Sequence, residues 1–106
     1  MTMTTVIKSA SKVLQVLKAL RGHSLSGVTN QELANQLDES PATITRALQT
    51  LEKEGFAQKL DDGSYALGNI LVSISHCHAQ EIDRAQSRVS EHIQRVFAGV
   101  KQIKEA

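Results

Sequence analysis

Apolar residues recur along this chain at helical spacing in four stretches and at strand spacing in one, and the changes of period mark the elements. Behind Ser9, a good N-cap, Val13, Leu14, Leu17 and Leu20 fall at i, i+1, i+4 and i+7, and Gly22 stands where a C′ glycine belongs. This stripe predicts a first helix of about three turns. His23 to Val28 reads as a connector, with Val28 as a short strand. Thr29-Asn30-Gln31-Glu32 has the form of a capping box, and Leu33, Ala34 and Leu37 supply the apolar face of a short second helix ending near Asp38. Ser40-Pro41 then opens a third helix: serine caps, and proline at the first helical position loses no needed hydrogen bond. Ile44, Ala47, Leu48 and Leu51, at i, i+3, i+4 and i+7, form its buried stripe, and Gly55 stops it. So few residues separate the second and third helices that the two must cross steeply, as in a helix-turn-helix.

The period then shortens. Phe56 to Leu60 reads as a strand with Phe56, Gln58 and Leu60 on one face, Asp61-Asp62-Gly63 as the turn, and Ser64 to Leu67 as the returning strand. Past Gly68 neither glycine nor proline occurs until Gly99. Ile70, Leu71 and Ile74, then Ile82, Ala85, Val89, Ile93, Val96, Val100 and Ile103, keep a helical period with one stutter against a strict heptad. If unbroken, this last helix is roughly 50–55 Å long. The expected fold class is mainly α: a winged helix-turn-helix of three helices and a β-hairpin, followed by a long C-terminal helix. The expected divisions are a loose, Thr-rich arm at 1–8, the winged domain at 9–68 and the long helix, a dimerisation element, at 69–106.

Several short motifs fall in a familiar order. They are Ser9-Ala10-Ser11-Lys12-Val13-Leu14, Thr29-Asn30-Gln31-Glu32-Leu33-Ala34, Ser40 to Leu48, Leu51-Glu52-Lys53-Glu54-Gly55-Phe56, and Asp62 to Gly68. Taken in order, Ser9 to Leu71 resembles the DNA-binding domain of the IclR family of bacterial transcription regulators. The resemblance implies a dimeric repressor or activator with its recognition helix in the major groove. Members of that family usually carry a large effector-binding domain beyond this point, whereas this chain stops at Ala106, so no small-molecule effector is expected. The family wing often bears a basic residue near the positions of Ser64 and Ala66, so weaker wing contacts are expected here. A compact regulator of this kind would suit a phage or mobile element.

Charge changes the picture by its distribution rather than its sum of +1. Residues 1–28 carry Lys8, Lys12, Lys18 and Arg21 and no acid, for +4. Residues 29–68 set Glu32, Asp38, Glu39, Glu52, Glu54, Asp61 and Asp62 against Arg46, Lys53 and Lys59, for −4, and residues 69–106 carry +1. Nucleic-acid binders are usually more basic, so the few cations must be well placed. With 106 residues and 41% of them hydrophobic, one small core is within reach; with only three aromatic residues (Phe56, Tyr65 and Phe97), aliphatic side chains must build it. So short a chain buries surface inefficiently and gains from a partner subunit. A single cysteine excludes a disulfide scaffold. No apolar run spans a membrane or serves as a secretory signal, so a cytoplasmic protein is expected.

The candidate DNA contacts follow from helix angle. At about 100° per residue, Ala42, Arg46, Gln49 and Lys53 face away from the buried stripe of the third helix, flanked by Thr43, Thr45 and Thr50. A solvated helix face would show similar residues; the element order favours reading of DNA. Arg46 suits a guanine, Gln49 an adenine, and Ala42 or a threonine methyl a thymine methyl. Ser40, at the cap, completes this set. Thr29, Asn30 and Gln31 offer a helix N-terminus to a phosphate. Lys8, Lys12, Lys18 and Arg21 are candidates for flanking phosphates. At the wing, Gly63 and Ser64 are small enough to approach a backbone and Lys59 adds charge, while Asp61 and Asp62 oppose it. Dimerisation is expected through Ile74, Ile82, Ala85, Val89, Ile93, Val96 and Val100.

His76-Cys77-His78 invites a metal, but neighbours on one helix point about 100° apart and cannot converge on one ion. No metal or other cofactor is expected, and Cys77 reads as a small core or interface residue. His23 and His92 read as surface residues. No catalytic triad, phosphate loop or dinucleotide motif appears, so the chain does not read as an enzyme. The partners expected are double-stranded DNA and a second copy. The rival reading is a protein-interaction or architectural winged-helix module of a larger complex, favoured by the near-neutral charge and the acidic middle third.

Overall fold

The computed structural model describes residues 5–106. It contains α1 (Lys8–Ala19), α2 (Asn30–Leu37), α3 (Pro41–Lys53), β1 (Ala57–Lys59), β2 (Tyr65–Leu67) and α4 (Asn69–Glu105). One structural unit ends at Val72, and the other comprises Ser73–Ala106. Part of the expected arm, residues 1–4, lies outside the described residues; Lys8, assigned to the arm, is already helical.

The N-cap of α1 is Ile7, whose side chain offers no acceptor, so Ser9 lies inside the first turn rather than capping it. The Ser11 amide closes that turn on the Ile7 carbonyl at 3.0 Å. Val16, Ala19 and Leu20 are buried, with Val13 and Leu17 packed beside them. Leu14, expected on the stripe, is 54% exposed. One step of about 100° carries it off the arc shared by Val13, Val16, Leu17 and Leu20. The helix stops at Ala19 with Leu20 as C-cap, so Gly22 lies one position beyond the expected C′, in the left-handed region at φ +82°.

Both later N-caps form as the sequence predicts. The Thr29 hydroxyl oxygen accepts from the Glu32 amide at 3.1 Å and donates to the Glu32 carboxylate, also at 3.1 Å. Ser40 Oγ accepts from the Thr43 amide at 3.2 Å, with Pro41 in the first turn. Between them Asp38 caps α2 with φ +53°, a left-handed conformation that aspartate tolerates better than most residues. That one residue reverses the chain, and the Glu39 amide returns to the Ala34 carbonyl at 3.0 Å. The core then assembles from α1, Leu33 and Ala34 of α2, and Ile44, Ala47, Leu48 and Leu51 of α3, joined by Val28, Ala57 and Tyr65.

β1 and β2 pair antiparallel, with Ala57 opposite Leu67, Gln58 opposite Ala66 and Lys59 opposite Tyr65. The face of Phe56, Gln58 and Leu60 is not the buried one: Ala57, of opposite parity, is the buried residue of β1. Val28 adds a bridge, exchanging two 2.8 Å backbone bonds with Tyr65. The loop Asp61–Gly63 is closed by Gly63 N–H donating to the Leu60 carbonyl at 2.9 Å, with Gly63 at φ +86° as a three-residue hairpin requires. At the end of β2 the Gly68 amide reaches the Phe56 carbonyl at 2.8 Å, and α4 begins at once. Its 37 residues make about 55 Å of helix. Among the described residues, no side chain of α4 is buried.

Candidate nucleic-acid interface

The third helix anchors the candidate site. Leu48, at 0% exposure, and its stripe neighbours fix one face in the core. A rigid helix with one face so held must turn the other outward, and Ala42, Arg46, Gln49, Thr50 and Lys53 are all exposed there. The Thr50 hydroxyl donates to the Arg46 carbonyl at 2.8 Å, so Thr50 offers its methyl and a lone pair more readily than its proton. The face carries a guanidinium, a carboxamide, small apolar groups and a flanking ammonium, groups able to pair with or touch base edges.

Four other predicted residues have structural duties. Asn30 Nδ2 donates to Thr45 Oγ1 at 2.8 Å, and both residues are half-buried. That bond fastens the start of α2 to the middle of α3, so Asn30 and Thr45 set the angle at which the outward face is presented. Ser40 donates its hydroxyl to Thr43 Oγ1 at 2.8 Å while capping the helix. Thr29 caps α2 and remains exposed.

The wing departs further from expectation. Ser64, expected to approach a DNA backbone, is 4% exposed. It is held inside the loop because its amide donates to Asp62 Oδ1 at 2.9 Å and its hydroxyl to the same oxygen. Those two bonds, the hydroxyl's first, also hold the Asp62 carboxyl below its ordinary pKa. Gly63 remains at the tip, where a Cβ would meet open space. Lys59 is exposed, with its ammonium 6.0 Å from the centre of the Tyr65 ring.

On α4, Ile74, Ile82, Val89, Ile93, Val96 and Val100 are exposed and Ala85 is half-buried. Phe97, absent from the predicted stripe, is 69% exposed; its place four residues after Ile93 was the available signal. Cys77 is exposed and so is not a core residue of the chain. Among the described residues, no cluster of His, Cys, Asp or Glu is arranged to hold a metal ion. No helix among them is long and apolar enough to cross a membrane.

Of the four N-terminal cations, Lys8 and Lys12 come beside Arg46 of α3, lining one hollow. Arg21 folds back instead, donating to the Lys18 carbonyl at 3.1 Å. Lys12 also pairs with Glu39 at 3.3 Å. Twenty-seven residues separate the two in sequence, and no local pattern announces such a pair.

The chain is similar to a set of known proteins over this same region. The model of the IclR helix-turn-helix domain matches residues 9–61. A probable HTH-type transcriptional regulator, ArcR, of Halobacterium salinarum is 34% identical over 70 residues, which is 66% of this chain and 26% of that protein. The solved IclR transcriptional regulator of Alicyclobacillus acidocaldarius superposes with a TM-score of 0.61 at 31% identity, over 66% of this chain and 28% of that one. HmgR of Pseudomonas aeruginosa gives 0.65 at 24% identity, over 73% and 33%, a likeness of fold. The chain thus spans between a quarter and a third of the length of these relatives.

Proposed function

Because the chain belongs to the IclR helix-turn-helix domain family, we propose that it is a sequence-specific, double-stranded-DNA-binding transcriptional regulator that acts as a homodimer in the cytoplasm. One observation carries the proposal: the exposed face of α3 presents Arg46, Gln49 and Ala42 on a helix whose opposite face is locked in the core. In this reading α3 enters the major groove, Arg46 pairs with guanine O6 and N7, and Gln49 pairs with adenine. Thr43, Thr50 and Lys53 lie along the groove walls. Thr29 and the first amides of α2 meet a phosphate. Gly63 and Lys59 bring the wing tip near the backbone, and the Ser64 hydroxyl, committed to Asp62, takes no part. Asn30, Thr45 and Ser40 position these groups. Regulation follows from occupancy of a promoter, by occlusion or recruitment. Catalysis has no part in the proposal.

The dimer is proposed to form through the apolar stripe of α4, which presents two copies of α3 to successive major grooves about 34–36 Å apart. Selection of bound duplexes from a random pool tests the reading. A single enriched palindrome is the expected result. A pool that binds yet emerges without enrichment would favour a sequence-blind architectural role, and a chain that retains no duplex would leave the protein-docking alternative.

A further inference from the structure

Lys8, Ser9 and Lys12 of α1 and Thr43, Arg46 and Thr50 of α3 line a hollow of about 420 Å³ beside the outward face of α3. Three full cations and three hydroxyls from two helices therefore share one concavity. The first turn of α1 adds to its character: it has no side-chain cap and no acidic residue, so its free amides and positive dipole end lack their usual anionic neighbour. One cation is already engaged, since Lys12 Nζ lies 3.3 Å and 3.5 Å from the two oxygens of the Glu39 carboxylate. Glu39 belongs to the turn that leads into α3, so its carboxylate stands beside the recognition helix, where a DNA-binding surface would ordinarily avoid a negative charge.

We propose that this hollow seats one phosphate of the DNA backbone, and that the Glu39 carboxylate holds Lys12 in place of that phosphate until DNA arrives. The inference rests on the DNA-binding reading above and extends it to a positioning contact outside the reading face. The location suits a backbone phosphate: phosphates flank the groove that a recognition helix occupies, and the hollow flanks α3. The charge suits it as well. Lys8, Lys12 and Arg46 bring like charges to one hollow, and a phosphodiester there offsets them while accepting protons from the two ammonium groups and from the Ser9 and Thr43 hydroxyls; the Thr50 proton stays on the Arg46 carbonyl. Arg46 lines the hollow and is also the base-reading cation of the proposed function, so Lys8 and Lys12 are the cations particular to the seat. Glu39 has two effects: it holds the Lys12 ammonium in the free protein, and it competes with the phosphate for that ammonium. The chain thereby loses affinity for DNA in general, which raises the share of binding that must come from base contacts.

The test is a salt titration of binding, followed by fluorescence anisotropy. It uses the full chain and a fluorescein-labelled duplex of arbitrary sequence, because a phosphate contact is indifferent to sequence. Lys8→Gln and Lys12→Gln should each weaken binding roughly tenfold, the worth of one charge-assisted hydrogen bond. The double variant Lys8→Gln/Lys12→Gln, which leaves that one phosphate unneutralised, should flatten the slope of log affinity against log salt by about 0.9, and each single variant by a part of that. Glu39→Gln should do the reverse and tighten binding several-fold, by releasing Lys12 and removing a like charge. If the Lys12–Glu39 pair only fastened α1 to the turn, Glu39→Gln would weaken binding as Lys12→Gln does, and that result overturns the proposal. So does a parent that binds duplex with lysine variants of unchanged affinity and slope. A parent that binds no duplex at low salt overturns the DNA-binding reading itself, and the seat with it. Thermal melts of each variant, expected to match the parent, separate loss of contact from loss of fold.

Discussion

Arg46 and Leu48 stand two positions apart on α3 and have opposite duties, which makes them a useful pair. Arg46 is exposed on the outward face, so Arg46→Ala should weaken binding to a selected operator by about 1–3 kcal/mol. Its stability, read by thermal melting, should stay within about 0.5 kcal/mol of the parent. Leu48 is fully buried at the centre of the stripe. Leu48→Ala removes packed methyl groups and leaves a cavity, so chemical denaturation should show a loss of about 2–5 kcal/mol. An unchanged denaturation midpoint would mean that the buried face has been misplaced. Asp62 offers a pH signal of known sign. Hydrogen bonds from the Ser64 hydroxyl and then the Ser64 amide lower its pKa from the ordinary 3.8. The stability these bonds lend the wing is therefore present above pH 3.8 and is lost as the pH falls through the lowered value. An NMR titration of the Asp62 carboxyl carbon should show the lowered midpoint, and Ser64→Ala should return it toward the ordinary value. A midpoint at or above that value in the parent would contradict the bonding described.

Among elements, the junctions carry more information than the helices themselves. Gly55, at φ +83°, ends α3, and its carbonyl accepts from the Ile70 amide of α4 at 3.2 Å. Gly68 closes the hairpin against the same segment: a Cβ there would overlap the Gly55 carbonyl oxygen and press on the Ala57 nitrogen at 2.9 Å. These are backbone atoms and cannot swing aside as a flexible side chain would. Gly68→Ala should therefore cost about 1–3 kcal/mol, as overpacking does. The damage should appear first as faster amide exchange in β1, β2 and the first turn of α4. Exchange as slow as the parent's across that junction would show that the backbone has room to shift. The Asn30–Thr45 bond acts at the same scale, coupling α2 to α3 so that the outward face is presented at one angle rather than several.

At the scale of the whole molecule, the long α4 sets the question. It buries no side chain among the described residues, yet carries Ile82, Val89, Ile93, Val96, Phe97, Val100 and Ile103, all exposed. Apolar surface of that extent is what the dimer proposal covers. Covering it with a second copy gains about 25 cal/mol per Å² before the costs of association. The full chain should therefore scatter light as a dimer at micromolar concentration. A chain cut after Val72 keeps the winged unit and its core, and should be monomeric and bind an operator more weakly. A monomeric full-length chain would end the dimer proposal, and a dimeric cut chain would move the interface to the winged unit.

The sequence alone determined the element order, the caps at Thr29 and Ser40, the buried stripe of α3 and the outward place of Arg46 and Gln49. Each of these depends on residues within a turn or two of one another, so spacing and local hydrogen-bonding chemistry suffice to read them. Tertiary structure decided the rest. Leu14 is apolar and helically spaced, yet it stands in the open because the arc that meets the core is narrower than the run of apolar residues. Ala57 rather than its neighbours faces inward because the pairing of β1 with β2 and the bridge to Val28 fix which parity meets the core. Ser64, small and next to the wing tip, reads as accessible until folding sets its hydroxyl on Asp62. The gathering of Lys8 and Lys12 beside Arg46, and the Lys12–Glu39 pair, join residues far apart in sequence, which only the packing of α1 on α3 brings together. Periodicity specifies which face of an element is apolar; only the packed partner specifies how much of that face is covered and which distant charges become neighbours.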